Sequence, residues 1–190
     1  MQTVLQEKNV PLVDAEAIIT TSFREKRAEK QPHITHMLGI PGAGKSTAVR
    51  SLDTANTVIV AFDAVMEALP QYRQMRDEQG IAEAFAYWEE AAREIGYEIL
   101  FRALEGGYNI IMDHSGARAD HVEILRHARQ HIGYYVRIIA LNTNIETASR
   151  RAQNRQRHVP MQYFHERAET LKALTPLYKA VADSYEEIET

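Results

Sequence analysis

An α/β fold, a parallel sheet with helices on both faces, is predicted by three observations on this sequence. Short β-branched runs alternate with helix-period segments along the chain, the order a parallel sheet requires. One run, His33-Ile34-Thr35-His36-Met37-Leu38, leads directly into the glycine loop Gly39-Ile40-Pro41-Gly42-Ala43-Gly44-Lys45-Ser46, and a helical segment follows it. Residues 81–105 carry Ile81, Phe85, Trp88, Ala92, Ile95, Ile99 and Ala103 at steps of three and four, one apolar stripe for a long sheet-covering helix.

The elements follow in order. A leading helix is expected over 12–30, within a leading segment 1–31. It has Leu12, Ala15, Ile18 and Ile19 on one side, and Gln31-Pro32 ends it. After the strand 33–38, the loop and a helix over 47–52, Thr57-Val58-Ile59-Val60-Ala61-Phe62 reads as a buried strand that stops at Asp63. The long helix is broken by Gly106-Gly107, and Phe85 and Trp88 on its stripe are read as core rather than as a stacking platform. A third strand over 108–112 ends at Asp113. A helix over 118–131 is closed by Gly133, and a fourth strand spans 134–141. A helix over 144–153 leads into an arginine-rich segment, and Pro160 opens a last helix. The chain then finishes over 184–190, within a fifth strand or just after a helix.

Composition excludes several functions. With 190 residues, one domain over 1–190 with a single well-buried core is expected. A net charge of -4 supplies no global basic field, so nucleic acid is not the expected partner. The absence of cysteine removes disulfides, thiol catalysis and cysteine-based zinc sites. No apolar stretch approaches a membrane span and no basic-then-apolar leader opens the sequence, so a cytoplasmic location is expected.

The loop 39–46 is a complete G-x-x-x-x-G-K-[ST] phosphate-binding pattern. Backbone N–H groups of such a loop point inward as an anion nest, so Gly39, Pro41, Gly42, Ala43, Gly44, Lys45, Ser46 and Thr47 are the expected nucleotide contacts. Gly42 and Gly44 permit the positive-φ turns. Lys45 is placed to reach the β- and γ-phosphates of ATP or GTP, and the Ser46 hydroxyl to ligate Mg²⁺. Ligands in open α/β sheets bind beyond the carboxyl ends of the strands, where Asp63, Asp113, His114 and Ser115 also fall. One carboxylate there can deprotonate an acceptor hydroxyl while the other helps to hold Mg²⁺, which assigns Asp63 and Asp113 as candidates; each could instead be a helix N-cap. His114 and Ser115 are candidate substrate contacts.

Arg150, Arg151, Arg155 and Arg157 cluster after the fourth strand. Phosphoryl transfer spreads charge over three equatorial oxygens, and a mobile arginine can neutralise it, so the segment 144–160 is read as a lid; a solvated helix end is the alternative. His127 and His131 stand at metal-ligand spacing, but no third ligand is evident.

Together the phosphate loop, the strand ending in Asp63, the following Leu69-Pro70-Gln71-Tyr72, the helix–Gly106-Gly107–strand segment and the late arginines resemble the zeta-toxin group of P-loop kinases, over about residues 33–175. The resemblance implies a P-loop kinase-type sheet with an arginine-bearing lid, a nucleotide-binding core over 33–113 and an acceptor-side segment over 63–105. It implies phosphorylation of a hydroxyl of UDP-N-acetylglucosamine with ATP or GTP and Mg²⁺, and a small antitoxin as protein partner. Lys45 matches the family's loop lysine, Ser46 its Mg²⁺-binding hydroxyl, Asp63 its catalytic base, and some of Arg151, Arg155 and Arg157 its lid arginines. Three positions depart from the pattern: Met66 stands for an arginine, Leu69 for a histidine, and Asp113-His114-Ser115 for an acidic residue followed by a threonine. All three lie on the acceptor side. The residues leave open a polynucleotide 5′-hydroxyl kinase, an antibiotic or other small-molecule kinase, and a nucleotide-binding protein without catalysis. A GTPase is disfavoured by the lack of an Asn-Lys-x-Asp motif.

Overall fold

The computed structural model describes residues 1–153 and 161–190. Five strands form one parallel sheet in the order β2-β3-β1-β4-β5, with β1 (His33–Leu38), β2 (Thr57–Val60), β3 (Asn109–Met112), β4 (Tyr135–Asn142) and β5 (Ser184–Glu189). β1 lies in the middle and is buried at every position after His33, so both its faces are covered and the polar Thr35 and His36 are buried along with Ile34, Met37 and Leu38. Successive side chains on a strand point to opposite faces. Ile110, Met112, Ile138 and Ala140 accordingly join the core on one face, while Ile111, Ile139 and Leu141 join Met37 on the other.

The first face is covered by α6 (Ile81–Glu105). Its stripe packs as expected: Ala92, Ile95, Ile99 and Ala103 are fully buried and Trp88 nearly so, whereas Phe85 at the upper end is only half-buried. Gly96 of this helix leaves room for the ring of Phe62; a Cβ there would stand 2.2 Å from Phe62 Cδ1. On the second face α8 (Ile145–Gln153) contributes Ala148 and Ala152, and α9 (Met161–Val181) contributes Phe164.

Several elements differ from expectation. The leading helix is α2 (Leu12–Ser22) and stops well short of residue 30. Beyond it Glu25 takes φ +61, Lys26 Nζ donates to Thr54 O and Ala55 O, and Glu29 N–H donates to Gly107 O, so residues 25–29 are held by neighbouring loops instead of a helical ladder. Of the expected apolar side, Ala15 and Ile19 are buried and Leu12 is exposed. An unexpected α1 (Gln2–Glu7) precedes it and inserts a fully buried Leu5. β2 ends at Val60, not at Phe62: Phe62 begins α4 (Phe62–Ala68), and α5 (Pro70–Gln79) follows with Pro70 at its first position, where a missing N–H costs nothing. α3 (Lys45–Arg50) starts inside the glycine loop. The expected helix 118–131 is α7 (Ala119–His127), whose continuation over Ala128–Ile132 widens into a π-turn before Gly133. The final residues form β5, paired in parallel with β4. Among the described residues no helix is long and apolar enough to cross a membrane.

This strand order sets three segments side by side. The glycine loop leaves the carboxyl end of β1, α4 that of β2, and the loop 113–118 that of β3, on adjacent strands.

Candidate active site

The glycine loop is built on two left-handed residues, Gly42 at φ +81 and Gly44 at φ +94. Gly42 also has no room for a side chain, since a Cβ would stand 2.1 Å from the carbonyl oxygen of Ala148 on α8. Ala43 N–H donates to Ile40 O at 3.1 Å, and Thr47 and Ala48 N–H donate to Gly44 O, which closes the loop onto α3. Lys45 Nζ donates to Gly39 O at 2.9 Å and to Ile40 O at 3.0 Å. Its charge thus rests on carbonyls of its own loop, within reach of whatever the loop holds.

A cavity of about 660 Å³ opens at the carboxyl ends of β1, β2 and β3. Pro41, Gly42, Gly44, Lys45 and Ser46 line it from the glycine loop, Asp63 and Met66 from α4, and Asp113, His114 and Ser115 from the loop after β3. Gly39, Ala43 and Thr47 are not among its walls. Ala43 is buried beneath them, with its carbonyl accepting from Thr190 Oγ1 at 3.0 Å, and Thr47 is exposed. The position of Asp63 corrects the strand-end expectation. It sits in the first turn of α4, where the helix dipole favours a carboxylate, and the N-cap is Ala61. Asp113 follows β3 directly as expected, with its N–H donating to Val60 O at 2.9 Å.

Behind the cavity wall lies a cluster of histidines with no counterpart in the sequence reading. The His121 ring (α7) stands 4.8 Å from that of His114 and 5.2 Å from that of His36 (β1), and Phe62 packs on His114 at 5.0 Å. Burial lowers His36 to about 3, His114 to about 2 and His121 to about 4; neighbouring positive charge adds to it at His36 and His114, whereas the Asp120 carboxylate works against it at His121. All three are neutral near pH 7. Gly116 N–H donates to His114 Nδ1 at 3.4 Å, which leaves the proton of the neutral ring on Nε2.

Arg151 is exposed on α8 and does not line the cavity, and Arg155 and Arg157 lie outside the described residues. Among the described residues the guanidinium groups that line it are those of Arg93 on α6, Arg118 in the loop after β3 and Arg167 on α9, far apart in sequence. Arg93 pairs with Glu89 at 3.2 Å, Arg118 grips both oxygens of Asp120, and Arg167 lies over the Tyr163 ring at 4.7 Å. Only Arg118 carried a usable signal, its closeness to Asp113-His114-Ser115. Phe85 and Ile81 also reach the cavity, so Phe85 is both core edge and site wall.

The donor set suits a small hard cation. Ser46 and Asp113 present oxygen ligands to the same cavity, and Mg²⁺ is commonly held by one or two protein oxygens together with substrate phosphates. Among the described residues no group of three His, Cys, Asp or Glu could hold a metal.

Known proteins place the chain. The family model described as Zeta toxin matches residues 16–188. A structure from the PezAT chromosomal toxin–antitoxin system of the human pathogen Streptococcus pneumoniae superposes with a TM-score of 0.74 at 19% identity, over 93% of this chain and 76% of that one. A putative kinase from Chloroflexus aurantiacus follows at TM-score 0.54 and 17% identity, over 85% and 87% of the two chains. The shikimate kinase of Acinetobacter baumannii, in complex with shikimate, gives 0.51 and 20%, over 85% and 86%. No curated protein sequence matches significantly.

Proposed function

The chain belongs to the zeta toxin family, and we propose that it is, as one domain, a nucleotide-dependent kinase that transfers the γ-phosphoryl group of ATP or GTP to a hydroxyl of a small polar acceptor, a nucleotide sugar such as UDP-N-acetylglucosamine. The observation that carries this reading is that the glycine loop, Asp63 and Asp113 line one cavity at the carboxyl ends of three adjacent parallel strands. The kinase fold shared with the structural neighbours supports it.

In this mechanism the loop amides from 42 to 46 bind the nucleotide phosphates, and Lys45 turns from Gly39 O and Ile40 O towards the β- and γ-phosphates. Ser46 and Asp113 would hold Mg²⁺, which when bound would supply charge neutralisation for the transferring group. Asp63 accepts the proton of the acceptor hydroxyl as the new O–P bond forms and the bond to the β,γ-bridging oxygen breaks, leaving ADP and a phosphate ester. His114 and Ser115 contact the acceptor. Arg167, which lines the cavity, faces the equatorial oxygens of the transferring group, and Arg151, Arg155 and Arg157 are the lid arginines that the family reading brings with it. The acceptor is read as small because the net charge is -4 and the arginine cluster at 150–157 is assigned to the lid. A small antitoxin is the protein partner this family reading brings with it. The neighbour from a toxin–antitoxin system supports it, and co-purification of a small protein with the chain from its native host tests it.

An acceptor panel tests the function. ATP or GTP with Mg²⁺ is offered with UDP-N-acetylglucosamine, a 5′-hydroxyl oligonucleotide, shikimate and aminoglycosides, and labelled product is scored. Labelling of the nucleotide sugar is expected. Labelling of the oligonucleotide alone establishes the polynucleotide kinase reading instead, and nucleotide binding without transfer to any acceptor reduces the protein to a binder.

A further inference from the structure

The loop 113–118 brings Asp113, His114, Ser115 and Arg118 to the cavity, yet it belongs to no helix or strand. Its placement therefore has to come from bonds to its surroundings, and its carbonyls show where they are. Gly39 N–H, at the start of the phosphate loop, donates to Ser115 O at 3.1 Å. The next three carbonyls are all taken by one helix, α9. The Tyr178 hydroxyl lies 2.7 Å from Gly116 O and 3.2 Å from Arg118 O, and Arg167 Nη1 donates to Ala117 O at 3.3 Å.

The arrangement is specific to these residues. Gly116 takes φ +72, and a Cβ on it would stand 2.2 Å from Leu38 Cδ2 and 3.4 Å from the Tyr178 hydroxyl. Tyr178 is fully buried, its ring 5.5 Å from that of His36. No solvent competes for its hydroxyl, and burial raises its ionisation well above the ordinary tyrosine range, so it remains a donor at any working pH. Gly116 O also accepts from Arg118 N–H at 2.8 Å, and Arg118, as the N-cap of α7, gives its carbonyl to the first bond of that helix, so the Tyr178 hydroxyl is the bond that ties these two internally paired carbonyls to α9. Tyr163 and Arg167 of the same helix line the cavity, and Tyr178 sits about 16 Å further along the axis from Arg167 at an α-helical rise. α9 thus holds the site at its rim and from beneath.

We propose that Tyr178 is a positioning residue for phosphoryl transfer, fixing loop 113–118 through the carbonyls of Gly116 and Arg118 and so setting Asp113, His114 and Ser115 at a defined distance from the phosphate loop. The catalytic part of this statement rests on the kinase reading above; the anchoring part does not.

Tyr178→Phe tests it, because the ring that fills the core and packs on His36 stays and only the hydroxyl is lost. Amide hydrogen exchange of peptides covering 113–118 should quicken about fivefold, with peptides of the glycine loop 39–46 unchanged. With ATP and UDP-N-acetylglucosamine, kcat/KM for the acceptor should fall about tenfold or more, while the ATP dissociation constant stays within about twofold. Wild-type exchange at 113–118 overturns the proposal, and so does an ATP affinity that falls in step with acceptor turnover. Arg167→Gln removes the other α9 bond to the same loop. Faster exchange at 113–118 in that variant supports α9 as the clamp, and wild-type exchange contradicts it. If the wild-type protein transfers nothing to UDP-N-acetylglucosamine, the acceptor reading fails and the exchange comparison still decides whether Tyr178 anchors the loop.

Discussion

Gly42 is where the phosphate loop meets α8 backbone to backbone, and one added methyl group there is expected to damage both fold and nucleotide binding. An alanine at φ +81 costs about 1–2 kcal/mol for the left-handed conformation alone. Its Cβ would also stand 2.1 Å from Ala148 O, 2.9 Å from Ala148 C and 3.1 Å from Ala148 Cα. These are backbone atoms of a helix and have no rotamer by which to move aside, so loop and helix must part by about 1 Å to restore ordinary contact. Overpacking of that kind adds about 1–3 kcal/mol, for a total near 2–5 kcal/mol. Gly44 is the internal control: at φ +94 it has the same conformational need, but nothing lies within 4 Å of its Cβ position. Gly44→Ala should therefore lose only about 1–2 kcal/mol. Urea unfolding of both variants and ATP titration calorimetry measure the difference, with Gly42→Ala the less stable and the weaker binder by about tenfold or more. Equal stability of the two variants, within about 0.5 kcal/mol, refutes the claim that α8 braces the loop.

Three further outcomes are expected. Asp63→Asn keeps the size of the side chain but removes the base, so kcat should fall about 10²-fold or more with nucleotide affinity little changed; an unchanged kcat removes Asp63 from the chemistry. Arg151, Arg155, Arg157 and Arg167 changed singly to Ala should include at least one loss of kcat of about 10³-fold, and four variants within a few-fold of wild type make these arginines surface charge. The third concerns pH. His36, His114 and His121 are held by burial near 3, 2 and 4, against 6.5 when unfolded, so the unfolded chain binds more protons below pH 6.5. Their contribution is complete above pH 6.5 and declines as pH falls towards about 4, by up to about 1.4 kcal/mol per pH unit for each histidine. Urea midpoints measured between pH 7.5 and 5 should drop steeply below pH 6.5, and a flat profile contradicts the burial of the cluster.

What could be read from the sequence was what local pattern controls. The strand–glycine loop–helix order placed β1 and the phosphate loop, and the apolar stripe placed α6, because both are properties of contiguous residues. Asp63 shows the limit. Ala61-Phe62 prolongs an apolar run, yet Phe62 turns into α4 because Gly96, on another helix, leaves a slot for its ring. The leading helix ends early for a similar reason, since Lys26 and Glu29 find carbonyl and amide partners in loops around 54–55 and 107. Arg93, Arg118 and Arg167 meet only through the fold, so an arginine search restricted to the cluster at 150–157 missed them. In loop 113–118 only Gly116, at φ +72, marks the arrangement in the sequence, because the carbonyls that Tyr178 and Arg167 meet belong to the backbone.

The central claim is that this cavity transfers a phosphoryl group with Lys45 at the nucleotide. It is tested most directly by acceptor-dependent ADP release in wild-type protein and in Lys45→Ala, with folding of both checked by circular dichroism. Wild type should release one ADP for each phosphorylated acceptor, and Lys45→Ala should fold but release none above background. Near-normal turnover in a folded Lys45→Ala protein would contradict it.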